Sequence, residues 1–292
     1  MINKYFIPYF ISLSISVLSS LSTGFILPQF VREWHPIGIE GNIDKTKPYI
    51  FNIGKLPMVL WYNNNNKPIS TINICKHLGA KLDNAIINNG CLHCVNHLTS
   101  YNETDAIGNI ISKNGLLWWS YKSYIKSPPA IFKKTEKINH IYIDVDVNII
   151  NVILEFIYSN NKIKIKNRNN KFLFYEKLFN AEHRFYYKYP YYLKGSINKK
   201  INYTLNFLPL EENKTRIFIN IANNFETKVF TNYYLNAKLN NLKNYDSTSY
   251  LKYLITLKNE NDYMRKIYLL FDKYSFPNEF TISSFYKYKN FY

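Results

Sequence analysis

Cys75 and His77 stand one residue apart, Cys94 and His97 stand two apart, and sixteen residues separate the pairs. The chain has only three cysteines and six histidines in 292 residues. The stretch ICKHLGAKLDNAIINNGCLHCVNHLTSY, from Ile74 to Tyr101, holds all three cysteines and three of the histidines. An odd number of crowded cysteines does not make a disulfide framework; it suits a metal site. Two thiolates and two imidazoles hold either one tetrahedral zinc or a two-iron cluster, in which the thiolates bind one iron and the imidazoles the other. Zinc sites commonly close with Cys paired to Cys and His to His at short spacing, whereas each short pair here mixes the two. Two separate loops can thus each give one ligand to each iron, and electron transfer is the chemistry that follows. Cys91 and His93, which lie between the pairs, are read as a structural thiol and as a packed or solvent-facing histidine.

Such loops need a rigid β framework. The runs KPYIFNI, PMVLWY, ISTINI, AIINNGCLHCV and GLLWWSY are rich in Ile, Val, Tyr and Trp and are punctuated by NNNNKP, LDN and NNG, which predicts a small antiparallel β domain. SPPAIFKKTEK, residues 127 to 137, marks the boundary beyond it. The run VNIINVILEFIYS, residues 147 to 159, predicts a helix with Val147, Ile150, Ile153, Leu154 and Ile157 on its apolar side. INYTLNFLPL and KTRIFINIANNF read as two strands joined by EENK, and Tyr250 to Tyr274 reads as helical. The expected fold class is α+β: a leader over 1–33, an all-β domain over 34–126 and an α+β domain over 127–292.

Composition narrows the partners. A chain that is 47% hydrophobic and 17% aromatic is not disordered. Its formal charge of +17 is spread thinly, with no basic run in a nucleic-acid motif, so a membrane surface is favoured as an electrostatic partner and no nucleic acid is expected. Residues Tyr5 to Val31 carry no charge. That run predicts a signal peptide or membrane anchor, with membrane association through entry into the secretory pathway or a plastid.

CKHLGA and CVNH resemble the two cluster loops of a Rieske protein. Respiratory Rieske proteins carry an extra cysteine in each loop, and Ala80 stands where the first would be, so the loop looks like the oxygenase type. GCLHC, EWHPIGIEGNIDKTKPYIFNIGKLPMVLWYN and NGLLWWSY resemble the pheophorbide a oxygenase-like group of chlorophyll-breakdown and plastid-envelope enzymes. NYTLNFLPLEENKTRIFINIANNF resembles the strand pair of that group's helix-grip-like catalytic domain. The resemblance implies a [2Fe-2S] cluster held by Cys75, His77, Cys94 and His97. It also implies an electron donor such as a ferredoxin or reductase, and a hydrophobic, tetrapyrrole-like ligand.

Two departures from the family pattern stand out. Val95, Asn96, Leu98 and Thr99 flank His97 where the family has Pro, an aromatic, Gly and Trp, which alters the hydrogen bonds around the cluster. The family's mononuclear iron takes two histidines from a helix plus a carboxylate. Laying that helix onto VNIINVILEFIYSNNKIKIK puts Tyr158, Asn161 and Lys166 at its key places, the first being where an Asp would bridge to a neighbouring subunit. His140 and His183 lack the spacing, and Asp262 alone matches the carboxylate. The mononuclear iron is therefore expected to be absent and oxygenation doubtful. A non-catalytic redox-sensing or ligand-binding module is the alternative, as is a sterol desaturase-like Rieske protein.

Overall fold

Asn–Gly turns fix the register of two hairpins in the first half of the chain. Asn89 (φ 47°) and Gly90 (φ 74°) form the two-residue turn between β5 (Ile86–Asn88) and β6 (Cys91–His93), and Asn114 and Gly115 do the same between β8 (Asn109–Lys113) and β9 (Leu116–Ser120). Both central residues have positive φ, the twist that antiparallel strands favour. In the computed structural model the described residues are 33–121, 127–129, 137–157, 164–168, 171–178, 181–188, 191–211, 213–222 and 231–243.

Three small antiparallel sheets make up the N-terminal part. One runs β1 (His35–Ile39), β9, β8; one runs β2 (Tyr49–Ile53), β3 (Leu56–Tyr62), β4 (Pro68–Ile72); the third runs β5, β6, β7 (Ser100–Tyr101). The all-β reading of this part is thus observed, with β1, β7 and β8 added to the strands expected. Indole N–H groups tie the sheets together: Trp61 donates to the Gly90 carbonyl at 3.1 Å and Trp119 to the Ile107 carbonyl at 3.1 Å. Gly108 permits the second, because a Cβ there would meet the Trp119 Nε1 at 2.5 Å.

Beyond residue 137 lies one seven-stranded antiparallel sheet. Its order is β10 (Ile138–Val145), β16 (Lys214–Ala222), β15 (Ile201–Glu211), β14 (Tyr192–Ile197), β13 (Ala181–Lys188), β12 (Lys171–Leu178), β11 (Lys164–Arg168). Helix α1 (Ile149–Ile157) packs on it, with Phe156 5.7 Å from Phe207 between ring centres. A π-helical turn, Thr231–Leu235, leads into α2 (Asn236–Lys243), whose Lys238 Nζ donates to the Glu155 carbonyl at 2.7 Å and so clamps the end of α1. The fold class is α+β, as expected. The β15–β16 pair and α1 lie where the sequence puts them, but α1 buries Ile149, Val152 and Phe156 as well as Ile153, Leu154 and Ile157, while Ile150 is half-buried.

Residues of opposite parity on β15 and β16 face the N-terminal sheets. There Asn220 donates to the Thr204 hydroxyl at 3.0 Å and bonds to His140 Nδ1 at 2.8 Å, while the His140 ring lies against Gly115. The Gly54 N–H donates to the Pro209 carbonyl at 2.9 Å. One continuous apolar core joins β1 to β3 and β9 with α1 and the large sheet.

One expectation is corrected. Helix α1 as described ends at Ile157, and Lys164–Arg168 is a strand paired with β12. Lys166 therefore stands in a strand, and no helix carries it in step with Tyr158. The sequence KIKIKN alternates Lys with Ile, a period of two that suits a strand, and the helical reading ran past it. Tyr158, Asn161, Asp262, the helix expected over Tyr250 to Tyr274 and residues 1–32 of the expected leader lie outside the described residues.

Candidate metal centre

Cys75 and Cys94 are buried, at 4% and 1% exposure, and belong to a small core of their own with Val59, Trp61, Ile69, Leu82, Ala85, Leu92 and Tyr101. His77 and His97 are exposed. Their rings meet edge to face with centres 4.9 Å apart. The fold thus sorts the four residues by element, thiols inward and imidazoles outward. All three cysteines are free of disulfides.

The sorting follows from two loops with one hydrogen-bond scheme. In the first, the Cys75 N–H donates to the Ala80 carbonyl at 2.6 Å and the Gly79 N–H returns to the Cys75 carbonyl at 2.8 Å. In the second, the Cys94 N–H donates to the Thr99 carbonyl at 3.0 Å and the Leu98 N–H returns to the Cys94 carbonyl at 2.9 Å. Each loop therefore folds back over its own cysteine and projects its histidine past it. The fourth residue after each cysteine takes a left-handed backbone, with φ 75° at Gly79 and 53° at Leu98. Leucine in that region costs about 1 kcal/mol or more.

Buried polar groups hold the first loop. Asn73 Oδ1 accepts from the Leu82 N–H at 2.8 Å, its Nδ2 donates to Asp83, and its N–H reaches the Pro57 carbonyl at 3.0 Å. The second loop is held by β6. Cys91 and His93 are half-buried while Leu92 and Cys94 are buried, the alternation a strand imposes, so Cys91 and His93 turn away from the small core.

Tyr101 is the residue that spacing does not reveal. The pairing of β6 with β7 sets Tyr101 opposite Leu92. Its hydroxyl bonds to the Cys75 side chain and accepts from the Lys76 N–H at 2.6 Å. Burial pushes the Cys75 thiol up, but bonds from the Tyr101 hydroxyl, the His77 N–H, Cys94 and the Thr99 hydroxyl outweigh it and bring the thiol down to about 7. Burial and the same bond to Cys75 push the Tyr101 hydroxyl well up, so it stays a donor. Lys76 lies over the Tyr101 ring at 4.8 Å and pairs with Asp105 at 2.7 Å.

This donor set fits a two-iron cluster. Its members come as two sulfurs and two imidazoles, one of each from either loop. Each iron of such a cluster needs two protein ligands, with both thiolates on one and both histidines on the other. A hydroxyl donor to a sulfur and amides folded over the cysteines are the support that a charged, sulfur-ligated cluster requires.

His140 and His183 are occupied elsewhere. His183 is fully buried, with Nε2 2.8 Å from the Tyr203 hydroxyl and its ring among Phe185, Tyr203 and Tyr234. His140 bonds to Asn220 in the polar chain described above.

The Rieske [2Fe-2S] domain matches residues 33–120. No curated protein matches the sequence. Dicamba monooxygenase bound to 3,6-dichlorosalicylic acid superimposes with a TM-score of 0.62 at 12% identity, over 84% of this chain and 97% of that one. The NdmA QL mutant of Pseudomonas putida CBB5 with theobromine superimposes with a TM-score of 0.61 at 12% identity, over 75% of this chain and 83% of that one. Residues 33–120 match the Rieske [2Fe-2S] domain, and the chain shares its fold with these two solved structures.

Proposed function

We propose that the chain is a Rieske iron–sulfur oxidoreductase in which Cys75 and Cys94 hold one iron of a [2Fe-2S] cluster and His77 and His97 the other. The observation that carries this reading is the sorting of two buried thiols and two exposed imidazoles by a pair of loops with the same hydrogen bonds. When bound, the cluster supplies one-electron transfer at a potential of about −150 to +300 mV. The protein's own groups orient and tune it. Tyr101 holds a proton against the Cys75 sulfur, the Asn73 and Asp83 bonds fix the first loop, and the exposed imidazoles give electrons an entry at the surface. Residues 34–126 are assigned as the cluster-bearing unit and 127–292 as the oxygenase-like unit.

The finer reading is descent from the pheophorbide a oxygenase-like group, with electrons from a ferredoxin or reductase. GCLHC and the strand sequences quoted above support it. A hydrophobic, tetrapyrrole-like ligand and membrane association through residues 5–31 belong to the same reading. Oxygenation is set aside in it, because His140 and His183, the histidines of the sequence beyond residue 97, are bonded to Asn220 and Tyr203. Absorption and EPR spectra of anaerobically purified protein test the core claim. A Rieske signal with two irons per chain is expected, and one zinc per chain without iron would sink it. A reproducible third iron with oxygen uptake would restore oxygenation.

A further inference from the structure

Lys76 follows Cys75 in the chain as Val95 follows Cys94. A lysine beside a metal ligand is ordinarily a solvated charge, and an exposed ion pair holds it only weakly. Here the ammonium folds back. It lies over the Tyr101 ring, 4.8 Å from its centre, and on Asp105 Oδ1 at 2.7 Å. Asp105 is itself fixed by the backbone: Oδ2 accepts the Asn102 N–H at 3.1 Å, while Asn102 Oδ1 accepts the Thr104 N–H at 2.8 Å. A carboxylate anchored in this way gives the ammonium one place to sit.

Both ends of Lys76 meet Tyr101. The Lys76 N–H donates to the Tyr101 oxygen at 2.6 Å while the ammonium faces the ring. The hydroxyl keeps its own hydrogen for the Cys75 sulfur. A cation on the face of a ring is attracted by its π electrons and draws on them, which makes the phenolic O–H a stronger donor. A bond accepted by the phenolic oxygen acts in the same direction. Shortening the side chain at residue 76 removes the first effect and leaves the second, because the backbone N–H stays.

We propose that Lys76, anchored by Asp105, is a positioning residue that raises the cluster potential through Tyr101: its ammonium strengthens the bond from the Tyr101 hydroxyl to the Cys75 sulfur, which favours the reduced state. This rests on the reading of Cys75, His77, Cys94 and His97 as cluster ligands. Asp105 offsets the Lys76 charge at 2.7 Å, so the pair presents little net charge to the thiols and the effect runs through the ring. The proton stays on the Tyr101 oxygen, and no bond forms or breaks.

The test is a redox titration of the full, cluster-loaded chain at neutral pH, followed by its EPR signal. Lys76→Met is expected to keep the signal and to shift the reduction equilibrium about threefold toward the oxidised form, a potential lower by about 30 mV for one electron. Lys76→Arg, which keeps a cation for both contacts, should restore the parent value. In the Tyr101→Phe protein, which has the ring without the hydroxyl, Lys76→Met should cause no further shift. Asp105→Asn in the parent should lower the potential as well, against the rise that loss of a negative charge gives by its field alone. An unmoved potential in Lys76→Met, equal shifts with and without the Tyr101 hydroxyl, or a rise in Asp105→Asn overturns this proposal and leaves the ligand reading standing. Loss of the signal in both Lys76→Met and Asp105→Asn would make the pair a structural one and overturn it too. Absence of any Rieske spectrum in the parent overturns the ligand reading, and this proposal with it.

Discussion

Two histidine environments divide the molecule. At the tips of the cluster loops His77 and His97 are exposed, ring against ring, above two buried thiols. In the large sheet His183 is fully buried among aromatic rings, with Nε2 committed to the Tyr203 hydroxyl. Residue type is the same; what differs is burial. A ligand histidine needs a lone pair aimed at space a metal can enter, whereas a core histidine has its lone pair satisfied by a neighbour. The contrast separates two settings of one residue type, exposed in the loops and packed in the sheet.

Removing a donor should break one side of this contrast and leave the other. Cys94→Ser is expected to abolish the cluster's colour and reduce iron from two per chain to near none, while far-UV circular dichroism keeps the signature of the large sheet. Cys91→Ser, on the outward side of β6, should keep the colour; bleaching there would mean that the ligand set is misassigned.

The reverse substitution lies in the sheet. A Cβ at Gly195 would stand 2.2 Å from the Tyr203 ring, the partner of His183. Gly195→Ala should therefore destabilise the chain by about 2 kcal/mol through overpacking, measured by thermal or denaturant unfolding. The visible spectrum per folded molecule should not change. Equal stability would mean that the His183–Tyr203 contact is not a packed one.

Tuning within the loops is a smaller effect. Tyr101→Phe removes a hydrogen bond to the Cys75 sulfur, a bond that favours the more negative, reduced state. Its loss should lower the potential by about 60 mV, which corresponds to about 1.4 kcal/mol for one electron. Protein-film voltammetry or redox titration would detect it, and a potential unmoved or raised would remove Tyr101 from the tuning groups.

The last expected change is in the iron-free protein. Cys75 has its thiol lowered from 9.0 to about 7 in the fold. A depressed value means that the folded state binds fewer protons between these limits, so the contribution is present above pH 9 and lost as pH falls through about 7. Denaturant unfolding of apo-protein should give a lower midpoint at pH 7 than at pH 9. Tyr101→Phe should weaken that dependence.

The legibility of the chain differed between its halves for a physical reason. In the N-terminal part, runs such as PMVLWY and GLLWWSY end at Gly and Asn turns, so β3 and β9 could be read from propensity and punctuation together. Strands β10 to β14 carry a weaker signal in the sequence. AEHRFYYK does alternate, with His183, Phe185 and Tyr187 buried and their neighbours not, but Tyr and Arg occupy the outward places and blur the period. The second cluster loop hid one fact. That Leu98 occupies the left-handed place of Gly79 emerges only from the matching hydrogen bonds, since one loop spaces Cys and His by one residue and the other by two.

By itself the sequence determined the donor types, their division between two loops and the antiparallel framework. Those follow from local chemistry: what a thiolate or imidazole can bind, and what Asn–Gly does to a backbone. Tertiary structure decided which donors are buried and which exposed, that Tyr101 reaches Cys75 from β7, and that His183 is spent on Tyr203. Each of these depends on strands distant in sequence coming into register, and no spacing along the chain encodes the direction in which a side chain then points.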